Sequence, residues 1–248
     1  MHNLKKFLLL FSILISGCAT YETSYRPSGI VIEQELRYLH IQKGSSPRPT
    51  VIIAHGCSGS NVPSYQDWLR QVLNWGYNGV MLDSFLPRGY KNCAEVHPNY
   101  VSTGSRAHDI KNLAEWIRKQ PWHTGKIAVL GFSHGGGTVL NFASNKDTYG
   151  IDAGIAYYPV CNGLGLNFEN PKIPVQVHLA KKDTTTPVHF CGAMKNYDMY
   201  MYANARHAFD MYKVDGWYYG HYHAYDLEAD VAARNRTREF LAKHLKSD

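Results

Sequence analysis

Gly131-Phe132-Ser133-His134-Gly135 follows directly on the apolar run 127–130 and leads into a stretch with helical character. A buried strand, a tight turn with glycine on either side of a serine, and then a helix leave few folds open. Two chain segments must pass close together there, and the serine oxygen must project at the tip of the turn. A helix starting near His134 aims its unpaired amides at the place where negative charge would develop on a substrate carbonyl. G-x-S-x-G alone is a common pattern. The strand before it and the helix after it make Ser133 a candidate nucleophile.

The rest of the chain alternates in the same way. One or two opening strands are expected over 30–41, then strands at 50–54, 77–83, 127–130, 151–157, 173–180 and 201–205. Helices are expected over 65–75, 106–119, 134–144, 190–200 and 226–245, the second with Ile110, Leu113, Ala114 and Ile117 on one face. A long loop fills 84–103. This alternation predicts an α/β fold, one domain over 29–248, with a mainly parallel central sheet and helices on both faces. Sites in such sheets lie beyond the carboxyl ends of the strands.

That rule limits the partners of Ser133. A serine hydroxyl needs a base within hydrogen-bond reach and a carboxylate to orient the base. Asp183 closes the strand at 173–180, whereas Asp152 begins a strand and Asp147 lies on the helix side. Of thirteen histidines, His207 alone follows the last strand. The predicted triad is Ser133, His207 and Asp183. Two backbone amides should form an oxyanion hole: that of His134, just after the serine, and that of Cys57, in the loop after the strand at 50–54.

The amino terminus reads as a targeting segment. Lys5 and Lys6 precede an apolar run, 7–15, too short to span a membrane, and Ile15-Ser16-Gly17-Cys18 follows. The pattern resembles a bacterial lipobox, which implies a signal peptide over 1–17, acylation of Cys18, a tether over 18–28 and a membrane-anchored lipoprotein. Ala19 instead of aspartate favours the outer membrane, facing the periplasm. Formal charge is +6, with no basic stripe interleaved with aromatics, so no nucleic-acid partner is expected. Four of the five cysteines remain once Cys18 is lipidated. In an exported chain this suggests two disulfides, and spacing leaves all three pairings open.

Several segments together resemble the dienelactone hydrolase family of the α/β-hydrolases. They are 55–59, Asp83-Ser84-Phe85-Leu86-Pro87-Arg88-Gly89, 131–136, Asp183 with Thr186-Pro187, and Arg206-His207-Ala208-Phe209. The resemblance runs from about residue 30 to 245. It implies hydrolysis of a small ester or lactone through an acyl-enzyme, without a cofactor, and the pairs Cys57–Cys93 and Cys161–Cys191. The founding enzyme uses a cysteine nucleophile where this chain has Ser133, which favours a more general esterase. Peptide or thioester cleavage on the same triad is a second reading. A catalytically silent binding or scaffolding lipoprotein is the third.

Arg88, His189 and Trp217 are candidate substrate contacts. Arg88 would meet a carboxylate unless it pairs internally; Trp217 belongs to an aromatic segment, 197–225, that reads as a pocket wall or as surface packing. His221-x-His223 is read as a solvated loop and no metal is expected, since no third ligand is set by the spacing.

Overall fold

The computed structural model describes residues 29–95, 101–162 and 170–246. The segment assigned above to a signal, to Cys18 and to a tether lies outside them. Nine strands are present among the described residues: β1 (Leu39–Gln42), β2 (Arg48–Ala54), β3 (Asn78–Leu82), β4 (His123–Phe132), β5 (Ala153–Tyr157), β6 (Val175–Ala180), β7 (Asp198–Tyr202), β8 (Gly216–Tyr218) and β9 (His221–His223). The helices are α1 (Pro63–Asn74), α2 (Thr103–Arg118), α3 (His134–Ser144) and α4 (Leu227–Leu245). Seven strands form one sheet in the order β1-β3-β2-β4-β5-β6-β7, antiparallel only between β1 and β3. This is the α/β architecture expected, with its mainly parallel sheet.

Strand alternation divides the core. Val51 and Ile53 of β2, with Ala128, Leu130 and Phe132 of β4, pack beneath α1 and α4. Ile52 and Ala54, with Ile127 and Val129, face α2 and α3 on the other side. Every residue of β3, β5 and β6 is buried, including Asn78, Gln176 and His178, as expected of strands covered on both faces. Helix starts follow ordinary chemistry. Pro63 occupies the first turn of α1, and the Ser102 and Asp226 side chains accept from the Ser105 and Ala229 amides to cap α2 and α4.

Two local expectations need correction. Of the one or two strands expected over 30–41, one forms, β1, at the end of the segment, and 3-10 turns at Ile32–Gln34 and Leu36–Tyr38 take the rest. Side chains of α2 satisfy this backbone instead of a neighbouring strand. The Ile30 amide donates to Asp109 Oδ1 at 2.9 Å, and Asn112 Nδ2 donates to the Ile30 carbonyl at 2.9 Å. The helix expected over 190–200 is a 3-10 turn, Val188–Cys191, followed by β7. The Cys161–Cys191 disulfide holds the turn. Pairing with β6 then draws 198–202 into the sheet edge.

Parallel pairing brings the carboxyl ends of β2, β4, β6 and β7 to one rim, and the segments after them carry Cys57, Ser133, Asp183 and His207. At this rim α3 presses on β2: a Cβ on Gly135 would run into the Ala54 carbonyl, and one on Gly131 into the Gly135 carbonyl. Gly135→Ala should therefore cost more than about 4 kcal/mol, or prevent folding, because backbone must move on both sides. Chemical denaturation of the variant checks this; a loss under 1 kcal/mol would contradict it.

Candidate active site

Ser133 adopts φ 53° and ψ −115°, a conformation that a non-glycine residue holds only under external constraint. The constraint is visible. Its amide donates to the Tyr157 carbonyl at 2.9 Å, and its carbonyl accepts from Gly137 and Val160 at 2.9 and 3.1 Å. The hydroxyl does not cap α3, so it has no helix-starting role.

Asp183 follows β6 and is held by the loop it begins. Its Oδ1 accepts from the Thr185 and Thr186 amides at 2.8 and 2.9 Å; its Oδ2 accepts from Thr186 Oγ1 at 2.8 Å. His207 Nδ1 lies 2.7 Å from Asp183 Oδ2, which sets Nδ1 as the protonated nitrogen and turns Nε2 outward. Burial pushes the Asp183 carboxyl up, but the hydrogen bond and charge of His207, with the Thr186 donors, outweigh it and hold it below its ordinary value. The Tyr158 ring packs on His207 with centroids 4.6 Å apart. Asp210 ties the following turn to the core, accepting from Tyr158 Oη at 2.6 Å and Trp68 Nε1 at 2.7 Å.

The loop after β2 is braced from several directions. Tyr65 Oη accepts from the Gly56 amide at 2.7 Å. Asp83 accepts from the Ser60 hydroxyl at 2.5 Å and from the Phe85 and Leu86 amides at 2.7 and 2.8 Å, linking this loop to the one after β3. The Cys57–Cys93 disulfide adds a covalent tie. Beneath lies the buried guanidinium of Arg106, which donates to the His55 carbonyl at 2.7 Å and to His134 Nδ1 at 2.9 Å. One side chain thus joins the two segments that bear the Cys57 and His134 amides. As the first residue of α3, His134 presents an amide with no partner inside the helix.

Ser133, His207 and Cys57 line one cavity of about 590 Å³. Among the described residues the Ser133 hydroxyl makes no hydrogen bond to the imidazole, a contact that commonly tightens only around substrate. The candidate substrate contacts fare differently. Arg88 does not reach the cavity: it forms a bidentate pair with Asp109, 2.8 Å to each oxygen, and donates to the Ser84 carbonyl at 2.7 Å. Both side chains are buried, so a substrate carboxylate has no access to this cation. His189 is exposed, lies against Phe190 and does not line the cavity. Trp217 is 74% exposed, packs on Tyr222 and does not line the cavity.

The cavity wall comes instead from other members of the aromatic segment. β8 and β9 form a hairpin that covers His207, and His223, expected in a solvated loop, stands 4.7 Å from that ring. Its Nε2 lies 3.1 Å from Thr185 Oγ1, and its other face stacks on Tyr218. Burial first, then the neighbouring His207, lowers His223 to about 4, so it is neutral near pH 7. His223, Arg106 and Tyr158 escaped sequence reasoning. The parity of His221 and His223 in a short strand was the one available signal for the first; burial of Arg106 on the inward face of α2 carries no local signature of what it touches.

A mainly parallel sheet with a strained serine turn and a histidine–carboxylate pair at one rim defines an α/β-hydrolase. The chain belongs to the dienelactone hydrolase family, whose model matches residues 36–245. Carboxymethylenebutenolidase of Pseudomonas putida is 23% identical over 224 residues, covering 79% of this chain and 86% of that one. Among solved structures, the dienelactone hydrolase of Anabaena variabilis superposes with TM-score 0.64 at 14% identity, over 84% of this chain and 92% of that chain. Est1E of Butyrivibrio proteoclasticus, solved with ferulic acid bound, gives 0.60 at 16% identity, over 83% and 94%. The protein is a carboxylic ester hydrolase acting on ester- or lactone-type bonds.

Two fully buried histidines near the sheet weaken the fold in acid. His55 donates from Nδ1 to the Gly56 carbonyl and accepts the Ser84 amide at Nε2; His178 lies between Tyr157 and Tyr200 in the sheet. Burial lowers each from 6.5 to about 3. As pH falls below about 6.5, the unfolded chain binds protons that the fold refuses. Unfolding free energy should fall by up to about 1.4 kcal/mol per pH unit for each histidine, down to about pH 3. Loss of the Asp183 carboxylate, which the fold holds below its ordinary value, acts in the same direction once pH falls below about 3.8. Urea titrations from pH 7 to 4 should show a slope that His178→Gln flattens; an unchanged slope would refute the assignment.

Proposed function

We propose that the protein is a serine esterase working through an acyl-enzyme. The observation that carries this is the meeting of Ser133 and the Asp183-paired His207 in one cavity wall. Ser133 Oγ attacks the ester carbonyl while His207 Nε2 takes its proton. The Cys57 and His134 amides donate to the developing oxyanion, each worth about 3–4 kcal/mol in the transition state. Asp183 steadies the imidazolium, which then protonates the departing alcohol. Water, deprotonated by His207, releases the acid from the acyl-enzyme. Arg106 acts as a positioning residue, holding both oxyanion segments.

The curated relatives are named for a butenolide bearing a carboxymethylene group. The burial of Arg88 against Asp109 favours a broader esterase here. A fluorophosphonate probe should label the wild-type protein and not Ser133→Ala, whose turnover should fall about 10⁴–10⁶-fold with little change in stability. A loss under tenfold would point to another nucleophile. Folded wild type that neither labels nor turns over would favour a silent binding protein, and preference for thioesters or peptide amides in a substrate panel would favour the other reading of this triad.

We further propose that the enzyme works at the bacterial envelope, anchored through acylated Cys18. Lys5, Lys6, the apolar run and Ser16-Gly17-Cys18 support this, as do two disulfides, which suit an oxidising compartment. Among the described residues no helix is long and apolar enough to cross a membrane. Cells fed an alkynyl fatty acid should yield labelled wild type in the membrane fraction; Cys18→Ser should carry no label. Equal labelling of both would overturn the anchor.

A further inference from the structure

The cavity beside Ser133 has an unusual charge balance. Among the described residues no lysine, arginine, aspartate or glutamate lines it. Its walls include Val62, Val160, Met211, Val214, Tyr218 and Tyr219. The polar ends of its deeper aromatics are turned away and already engaged: Tyr65 Oη holds the Gly56 amide, and Tyr158 Oη donates to Asp210. The threonine hydroxyls on its floor are engaged as well, Thr186 with Asp183 and the Tyr158 carbonyl, Thr185 with His223. Two buried arginines behind the site are already engaged. Arg88 is consumed by Asp109, and Arg106 by the His55 carbonyl and His134.

We infer that this cavity selects uncharged esters whose acyl or alcohol portion is apolar and about the size of an aromatic ring, and that it discriminates against substrates carrying a carboxylate. This rests on the serine-esterase reading of the same site and adds the substrate class to it. The physical reason is desolvation. Among the described residues, a carboxylate entering this space leaves water and finds no lysine or arginine to pair with, whereas a ring finds tyrosine faces and aliphatic walls. A volume of about 590 Å³ holds such a group together with the ester. The neutrality of His223 removes the cation that would otherwise stand nearest to His207. Selection here is by exclusion of charge, since an unpartnered anion is penalised far more than a neutral group of the same shape.

The test uses an isosteric pair, the 4-nitrophenyl esters of 3-(4-carbamoylphenyl)propanoate and 3-(4-carboxyphenyl)propanoate. At pH 7.5 the amide should be hydrolysed with kcat/KM at least about 100-fold above the carboxylate. Asn61→Arg and Val214→Lys, at the rim, should each narrow that ratio at least about tenfold by raising turnover of the carboxylate. A ratio under about 3, or preference for the carboxylate, overturns the inference. Calorimetric binding of the matching non-hydrolysable ketones keeps the two readings apart. Discrimination in ketone binding without turnover of either ester upholds the cavity's selectivity and removes the esterase reading. Equal ketone binding, with or without turnover, overturns the selectivity.

Discussion

The contact of α3 with the end of β2 organises everything at the rim. Gly135 lies so near the Ala54 carbonyl that no side chain fits between them, and Gly131 is pressed in the same way by Gly135. That closeness forces the chain to reverse within a single residue, which is why Ser133 carries a positive φ. Three backbone hydrogen bonds through Ser133 hold the reversal, two of them from segments beyond the turn. The strain is local and is offset by packing of Phe132, Val139 and Leu140 on either side of the sheet.

A second layer makes the rim rigid. Asp83, Arg106 and Tyr65 do not line up along any one element, yet each hydrogen-bonds a loop that faces the cavity. The Arg106 guanidinium is fully buried, and burial lowers it to about 10, still protonated at neutral pH. Asp109 and Asp83 supply compensating charge, and the ring of Phe85 lies 5.3 Å from the guanidinium carbon. A buried ion of this kind contributes little net stability; its value is directional, because a planar fork can hold a carbonyl and an imidazole at once. The cavity above is left almost without formal charge.

Much of this was legible in the chain. Strands buried on both faces announce themselves as apolar runs, so 50–54, 127–130 and 151–157 could be placed to within a few residues. The chain order of Ser133, Asp183 and His207 followed from where strands end. The misreadings have a common cause. Residues 30–41 and 190–200 sit at the periphery, where a side chain of α2, a disulfide and the sheet edge decide the backbone, and none of these is adjacent in sequence. Arg88 was ambiguous for the same reason. Whether it meets a substrate or Asp109 depends on how the loop after β3 lies on α2.

By itself the sequence determined the alternation of strand and helix, the turn that exposes Ser133, and the identity of the residues available at the rim, because these depend on local periodicity and on the absence of a Cβ. Tertiary structure alone decided that Arg88 is spent, that Arg106 spans two loops, and that His223 covers His207 in a nearly uncharged cavity. Those outcomes are set by contacts between residues far apart in the chain, where burial decides which charge finds a partner, and local patterning carries no record of that choice.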